Sequence, residues 1–248
     1  MKRLGSLPAL VLSMGLLVGC GSAGTENAES GGQGDKADTT GVASSTVGKC
    51  SGDSPAVANA RTVARVDLDG DGTAEVVKLT AGGGECANTV FAKTGEGFVS
   101  SAPVDGPPVT SALAVAAPGR DGQLLVTRAD HPRGGYQLRI YAAGSGKLTE
   151  LEVDGNPLVP FVATDVQEHP LSIDCADGGL VLTEAVLHEP MGVQPAWDIT
   201  RTTYAVDGDS VRRGSTEAVA DSVPANQLGA KYPELVKHTA FASCRADG

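Results

Sequence analysis

From Arg61 to the C-terminus the chain reads as short runs rich in Val, Leu, Ile, Thr and Tyr, each followed by a Gly/Asp turn. This punctuation restricts the fold to β-architectures. The runs Thr62–Asp67, Glu75–Leu79, Asn88–Lys93, Ser111–Ala116, Leu124–Arg128, Gln137–Ala142, Leu180–Ala185, Asp198–Val206 and Val211–Ser215 have the length and residue types of half-buried strands. Only Ala225–Val236 reads as a helical turn or two. Aromatic residues make up just 4% of the chain, so Val, Leu and Ala must fill the core.

Grouped in fours, the strands repeat. The first group spans Arg61–Val104 and holds VDLDGDGTAEVVKL. The second spans Ser111–Val153 and holds VAAPGRDGQLLVTR and YQLRIYAAGSGKLTEL, and the third, Ser172–Val219, holds IDCADGGLVLTEA and WDITRTTYAVDGDSVRRGS. In each, a strand leads into an Asp/Gly turn, an apolar strand, a longer loop, a further strand and a final hairpin strand. That is the rhythm of a propeller blade. The predicted class is all-β, with three four-stranded, blade-like antiparallel sheets. The arrangement is partial and propeller-like, since closed propellers need about four blades or more. A β-sandwich of two sheets is the alternative, and a short helical segment ends the chain.

The N-terminus carries a different signal. Lys2 and Arg3 precede an apolar run, Leu7–Val18, that is shorter than the ~20 residues of a spanning helix. It ends in Leu17-Val18-Gly19-Cys20, with no A-x-A cleavage site. These four residues resemble the lipobox of bacterial lipoproteins. The resemblance implies a signal peptide over residues 1–19, cleavage before Cys20, and diacylglycerol on the Cys20 thiol. Two acyl chains anchor a protein stably where one is marginal. The expected location is the outer face of the cell membrane. Residues 20–49 are mostly Gly, Ser, Thr, Ala and acids, with Val42 and Val47 the only larger apolar side chains, and read as a disordered polar tether. Random-coil scaling gives it a reach of ~30 Å. The folded domain then occupies residues 50–248.

The net charge is −11; loss of Lys2 and Arg3 with the signal leaves 17 basic against 30 acidic residues, or −13. An acidic surface repels nucleic acid and anionic headgroups, which leaves a protein or a cell-envelope polymer as partner and the lipid as the route to the membrane. After Cys20, four cysteines remain: Cys50, Cys86, Cys175 and Cys244. An even number in an exported chain reads as two disulfides, for which three pairings exist. Cys50–Cys86 with Cys175–Cys244 is preferred, because each then ties one end of the domain to a neighbouring β-segment.

The sharpest chemical signal is Asp67-Leu68-Asp69-Gly70-Asp71-Gly72-Thr73-Ala74-Glu75. Acids at positions 1, 3, 5 and 9 with glycine at 6 begin an EF-hand-type calcium loop. Position 12 is Lys78, and Val76, Val77 and Leu79 continue as a strand, so the loop opens a β-hairpin. Over Val66–Leu79 the segment resembles the FG-GAP or VCBS repeat, a blade unit whose acidic turn often holds calcium. That resemblance implies calcium on the Asp67, Asp69, Asp71 and Glu75 side chains and the Thr73 carbonyl. The alternative is an Asp/Gly hairpin turn with no ion. Only Arg120-Asp121-Gly122 in the second group, and Asp174, Asp177 and Gly178 in the third, echo the motif. The order of lipobox, polar tether, cysteine and DGDG turn also resembles small actinobacterial lipoproteins.

No G-x-S-x-G elbow, P-loop, dinucleotide fingerprint or zincin pair occurs. Asp165, Glu168 and His169 lack the second histidine of a zincin. His131, His169, His188 and His238 are scattered in polar loops, and Glu184 with Glu189 offers at best a carboxylate pair for sugar hydrolysis. Trp197 and Tyr204 stand an odd number of residues apart and are predicted on opposite faces of one sheet, with one of them free to sit exposed beside a loop such as His131–Tyr136. The sequence therefore reads as a non-enzymatic, membrane-anchored binding lipoprotein with a structural calcium site. The alternative is a cell-envelope hydrolase or a solute-binding accessory protein.

Overall fold

The computed structural model describes residues 50, 52, 54–81, 86–104, 106–132, 134–162, 169–176, 178–188, 195–237 and 240–244. The expected signal peptide, Cys20 and the expected tether lie outside them, as do Asp165, Glu168, Asp177, Glu189 and His238.

A short helix, α1 (Pro55–Ala58), precedes the first sheet, β1 (Arg61–Val66), β2 (Glu75–Leu79), β3 (Val90–Thr94) and β4 (Gly97–Ser100). The second is β5 (Val109–Val115), β6 (Leu124–Asp130), β7 (Tyr136–Gly144) and β8 (Lys147–Glu150). A small hairpin, β9 (Glu152–Val153) with β10 (Asn156–Pro157), leads to the third sheet: β11 (Leu171–Ala176), β12 (Gly179–Leu187), β13 (Ala196–Asp207) and β14 (Ser210–Pro224). Helices α2 (Ala225–Lys231) and α3 (Pro233–Lys237) follow. The three strand groups of the sequence are the three four-stranded sheets, each an antiparallel meander in chain order. The chain is thus mostly β with a short C-terminal helical segment, and its sheets are open and exceed the two of a sandwich.

The second sheet is buried on both faces. Leu124, Val126, Leu138, Ile140 and Ala142 point into a core shared with Ile173, Leu180, Leu182, Tyr204 and Val206 of the third sheet. Their neighbours Leu125 and Tyr141 point the other way, toward Val66, Val77, Val90 and Val99 of the first. Alternation along a strand sends adjacent residues to opposite faces, so a strand clad on both sides must be apolar throughout, and Leu124-Leu125-Val126 is. Each buried Leu or Val stabilises the fold by about 1.5–3 kcal/mol.

The outer sheets are covered by the chain ends. On the first, the Phe91 and Phe98 rings lie 5.4 Å apart, and Gly52 sits against Phe98. On the third, Leu228 of α2 and Leu235 of α3 pack on Ala185, Trp197, Ile199 and Val223. Trp197 and Tyr204 do face opposite sides, Trp197 toward the helices and Tyr204 toward the second sheet. Neither is exposed: both are buried, which removes the idea of a free aromatic platform, because each face of β13 has its own cover there. The disulfides are Cys50–Cys86 and Cys175–Cys244, the preferred pairing.

Candidate metal-binding turn and adjoining cleft

The turn between β1 and β2 is organised by its own carboxylates. Asp67 accepts the Gly70 N–H on Oδ1 (2.9 Å) and the Gly72 N–H on Oδ2 (3.1 Å). The Asp71 N–H donates to Asp69 Oδ1 at 3.3 Å, and the Thr73 N–H to Asp71 Oδ1 at 2.7 Å. Gly70 and Gly72 have φ of +77° and +85°, which glycine adopts without strain. The bonds draw the three aspartates inward until one oxygen of each lies within 4.8 Å of the others. Oxygens bound to one calcium at 2.3–2.6 Å stand at most about 5 Å apart, so the spacing fits. Carboxylate oxygens also keep lone pairs beyond those used by the N–H donors. No Lys or Arg forms a salt bridge with the three among the described residues.

Glu75 stands outside this 4.8 Å group. It is buried at the start of β2, and its Oε2 accepts the Leu68 N–H at 2.7 Å. Burial pushes its carboxyl above the ordinary range; the Leu68 bond opposes the shift, and the nearby Asp69 and Asp71 charges add to it. Thr73 is exposed on the turn. The structure therefore gathers the side chains of Asp67, Asp69 and Asp71, while Glu75 is turned to the Leu68 N–H.

The turn is fixed to its neighbours. Gly95, in the β3–β4 turn, donates its N–H to Asp69 Oδ2 at 3.1 Å. Asp67 exchanges two bonds with Gln123, at 2.9 Å to the side chain and 2.6 Å from its backbone N–H. A Cβ on Gly70 would come within 2.7 Å of the Asp121 carbonyl carbon, and one on Gly122 within 2.5 Å of the Leu68 oxygen. The Asp/Gly turns of the first two sheets thus meet backbone to backbone, which only glycine at both positions allows.

Beside this contact opens a cleft of about 330 Å³, lined by the β1–β2, β3–β4, β5–β6, β7–β8 and β13–β14 turns. Arg120 crosses it. Its guanidinium donates to the Gly208 carbonyl and, at 3.0 Å, to the Ala143 carbonyl, which joins the turns of the second and third sheets. Its Nε–H is sheltered from solvent and has no acceptor. Desolvation lowers the guanidinium pKa, against the pull of Asp209 and Asp121. The sequence marks Arg120 only as part of a weakened turn motif.

Two of the histidines, His169 and His188, have acidic partners. His188 Nδ1 lies 2.7 Å from Asp198 Oδ2, which together with the Ser222 N–H holds the Asp198 carboxyl below its usual range. This pair sits at the far end of β13 from the cleft. His131 packs edge-on against Phe161, their ring centroids 5.8 Å apart. His169 Nε2 lies 3.3 Å from Glu184 Oε1. That contact raises the His169 pKa against the opposing effect of burial. The folded-state value is the higher one, so the stabilisation is complete below the unfolded value of about 6.5 and is lost as pH rises through the folded one. An NMR titration should place the His169 midpoint above about 6.5, and Glu184→Gln should return it toward that value. Equal midpoints in the two proteins would remove the pair as the cause.

No protein family, curated protein or solved structure matches the chain.

Proposed function

We propose that the chain is a lipid-anchored extracytoplasmic binding protein, not an enzyme, whose Asp67–Glu75 turn holds one structural calcium ion. The convergence of Asp67, Asp69 and Asp71 carries this reading, because three carboxylates without a basic partner repel one another and a hard cation relieves that repulsion. Asp67, Asp69 and Asp71 would hold the ion, which supplies charge neutralisation and rigidity. The Gly95–Asp69 and Gln123–Asp67 bonds carry that rigidity to the turns around the cleft. The three stacked meanders support a partial, propeller-like blade arrangement of the FG-GAP kind. Two disulfides suit an oxidising compartment outside the cytoplasm.

Two experiments test the reading. Calorimetric titration of the purified chain with calcium should show one site, abolished by Asp69→Asn with Asp71→Asn; absence of binding by the parent overturns the metal site. In the producing cell, Cys20→Ser should move the protein from the membrane fraction to the medium. Retention in the membrane overturns the lipid anchor and leaves the calcium result untouched.

A further inference from the structure

We infer that the outer edge of β14 is a self-association surface, where a second copy of the chain adds its own β14, antiparallel, about a two-fold axis at Gly214-Ser215. This goes beyond the binding role proposed above and needs neither the calcium nor the lipid. β14 runs for 15 residues, whereas β4 and β8, the fourth strands of the first and second sheets, have 4 each. It ends its sheet, so among the described residues no strand pairs with its outer side. From Arg212 to Ala218 every residue is exposed, whichever face its side chain takes. Such an edge offers a row of backbone donors and acceptors to another strand.

The register shows which groups face outward. Asp207 and Ser210 close the two-residue β13–β14 hairpin as a hydrogen-bonded pair. Pairs then alternate, so Val211 and Arg213 turn their backbone N–H and C=O away from β13. Between Tyr204↔Arg213 and Thr202↔Thr216 the ladder shifts, with Gly214 and Ser215 opposite Thr203 alone, and beyond this bulge Thr216 and Ala218 are the outward residues. A bulge ordinarily protects an edge from pairing. With the two-fold axis at the bulge, Val211 stands against Ala218 of the second copy and Arg213 against its Thr216. The irregularity then meets itself, and the outward backbone groups find partners.

The same register sets Arg212 against Glu217 of the second copy. On β13 these two oppose Ala205 and Arg201, so they share a face of the sheet and form a cross-strand ion pair, repeated by the symmetry. Glu217 already lies 3.6 Å from Arg201, yet its side chain is 64% exposed and open to a second cation. A parallel pairing would set arginine beside arginine. The net charge of −11 opposes association at long range. At ~0.15 M salt, where screening acts over ~8 Å, the contact pairs decide.

Sedimentation velocity of the purified chain in such salt should show one copy converting to two as concentration rises. So small a contact gives a Kd on the order of 100 μM. Arg212→Glu should weaken the dimer about tenfold, and Glu217→Arg likewise, because each sets like charges opposite at both symmetric positions. Arg212→Glu with Glu217→Arg restores opposite charges and should recover the parent Kd to within about threefold. All three variants should melt within about 2 °C of the parent, since both side chains are exposed. A chain that stays monomeric up to ~1 mM overturns the assignment. So does a dimer indifferent to the single reversals, or a double exchange no tighter than either single variant. Growth beyond two copies overturns it as well, because a two-fold contact closes. Each of these results leaves the calcium and lipid-anchor readings untouched.

Discussion

A Cys175→Ala, Cys244→Ala variant should unfold at lower urea than the parent, with about 4 kcal/mol of stability lost. The bond closes a loop across 69 residues, and releasing it returns that much chain entropy to the unfolded state. The native state loses contacts too. Phe241 is fully buried in the core shared by the second and third sheets, three residues before the bonded Cys244. Its N–H donates to the Ile173 carbonyl at 2.7 Å, and Cys244 accepts the Ala116 N–H at 3.1 Å. Ser243 adds bonds from N–H and Oγ to Asp174 Oδ1, at 2.8 and 2.6 Å. Removing the corresponding pair, Cys50 and Cys86, opens a loop across only 36 residues and should cost about half a kcal/mol less in chain entropy. Domains are stable by about 5–15 kcal/mol, so either loss is a large share. Equilibrium urea unfolding measures both; a Cys175/Cys244 variant as stable as the parent would show that the tail holds itself in place.

Much of the fold was legible because each sheet is built from neighbours in the chain. Hairpin turns with glycine and aspartate set the strand order, and alternation set the faces. Leu124-Leu125-Val126 was less telling, since a continuous apolar run fits a doubly buried strand or a buried helix. β14 continues to Pro224, well past the predicted end at Ser215, through register shifts and a positive φ at Ser222. Such bulges break the two-residue period that a sequence reading depends on. The acidic turn was visible as a local motif. The burial of Glu75 was not, because spacing alone does not reveal that this carboxylate meets the Leu68 N–H. The cleft was invisible for a stronger reason: its wall comes from turns of all three sheets, and the Arg120 bond to Gly208 spans 88 residues. The partners of His169 and His188 arise in the same way, from contacts that only the folded sheet creates.

Calcium should raise the melting temperature of the parent by roughly 5–10 °C at a hundredfold excess over Kd. Binding to the folded state alone adds ~2.7 kcal/mol at that excess, and a chain of this size gains about 2–4 °C per kcal/mol. The informative comparison is Asp71→Asn, which removes one charge but keeps the oxygen that accepts the Thr73 N–H. Asp69 is left in place because its two oxygens accept different groups, the N–H of Asp71 and that of Gly95. Asp67 is left alone because both its oxygens shape the turn itself, at Gly70 and Gly72. In chelator the Asp71→Asn variant should be the more stable protein, by a few tenths of a kcal/mol, since part of the carboxylate repulsion in the turn is relieved with no hydrogen bond lost. In calcium the order should reverse, because only the parent retains all three carboxylates. Magnesium should do less, since it demands near-ideal octahedral geometry and gives up its own waters reluctantly. A crossing of the two melting curves between chelator and calcium separates a metal site from a general effect of salt on an acidic protein, which would move both in parallel. If the curves coincide under both conditions, the turn is an Asp/Gly hairpin held by its own side chains, and the FG-GAP reading loses its chemical basis.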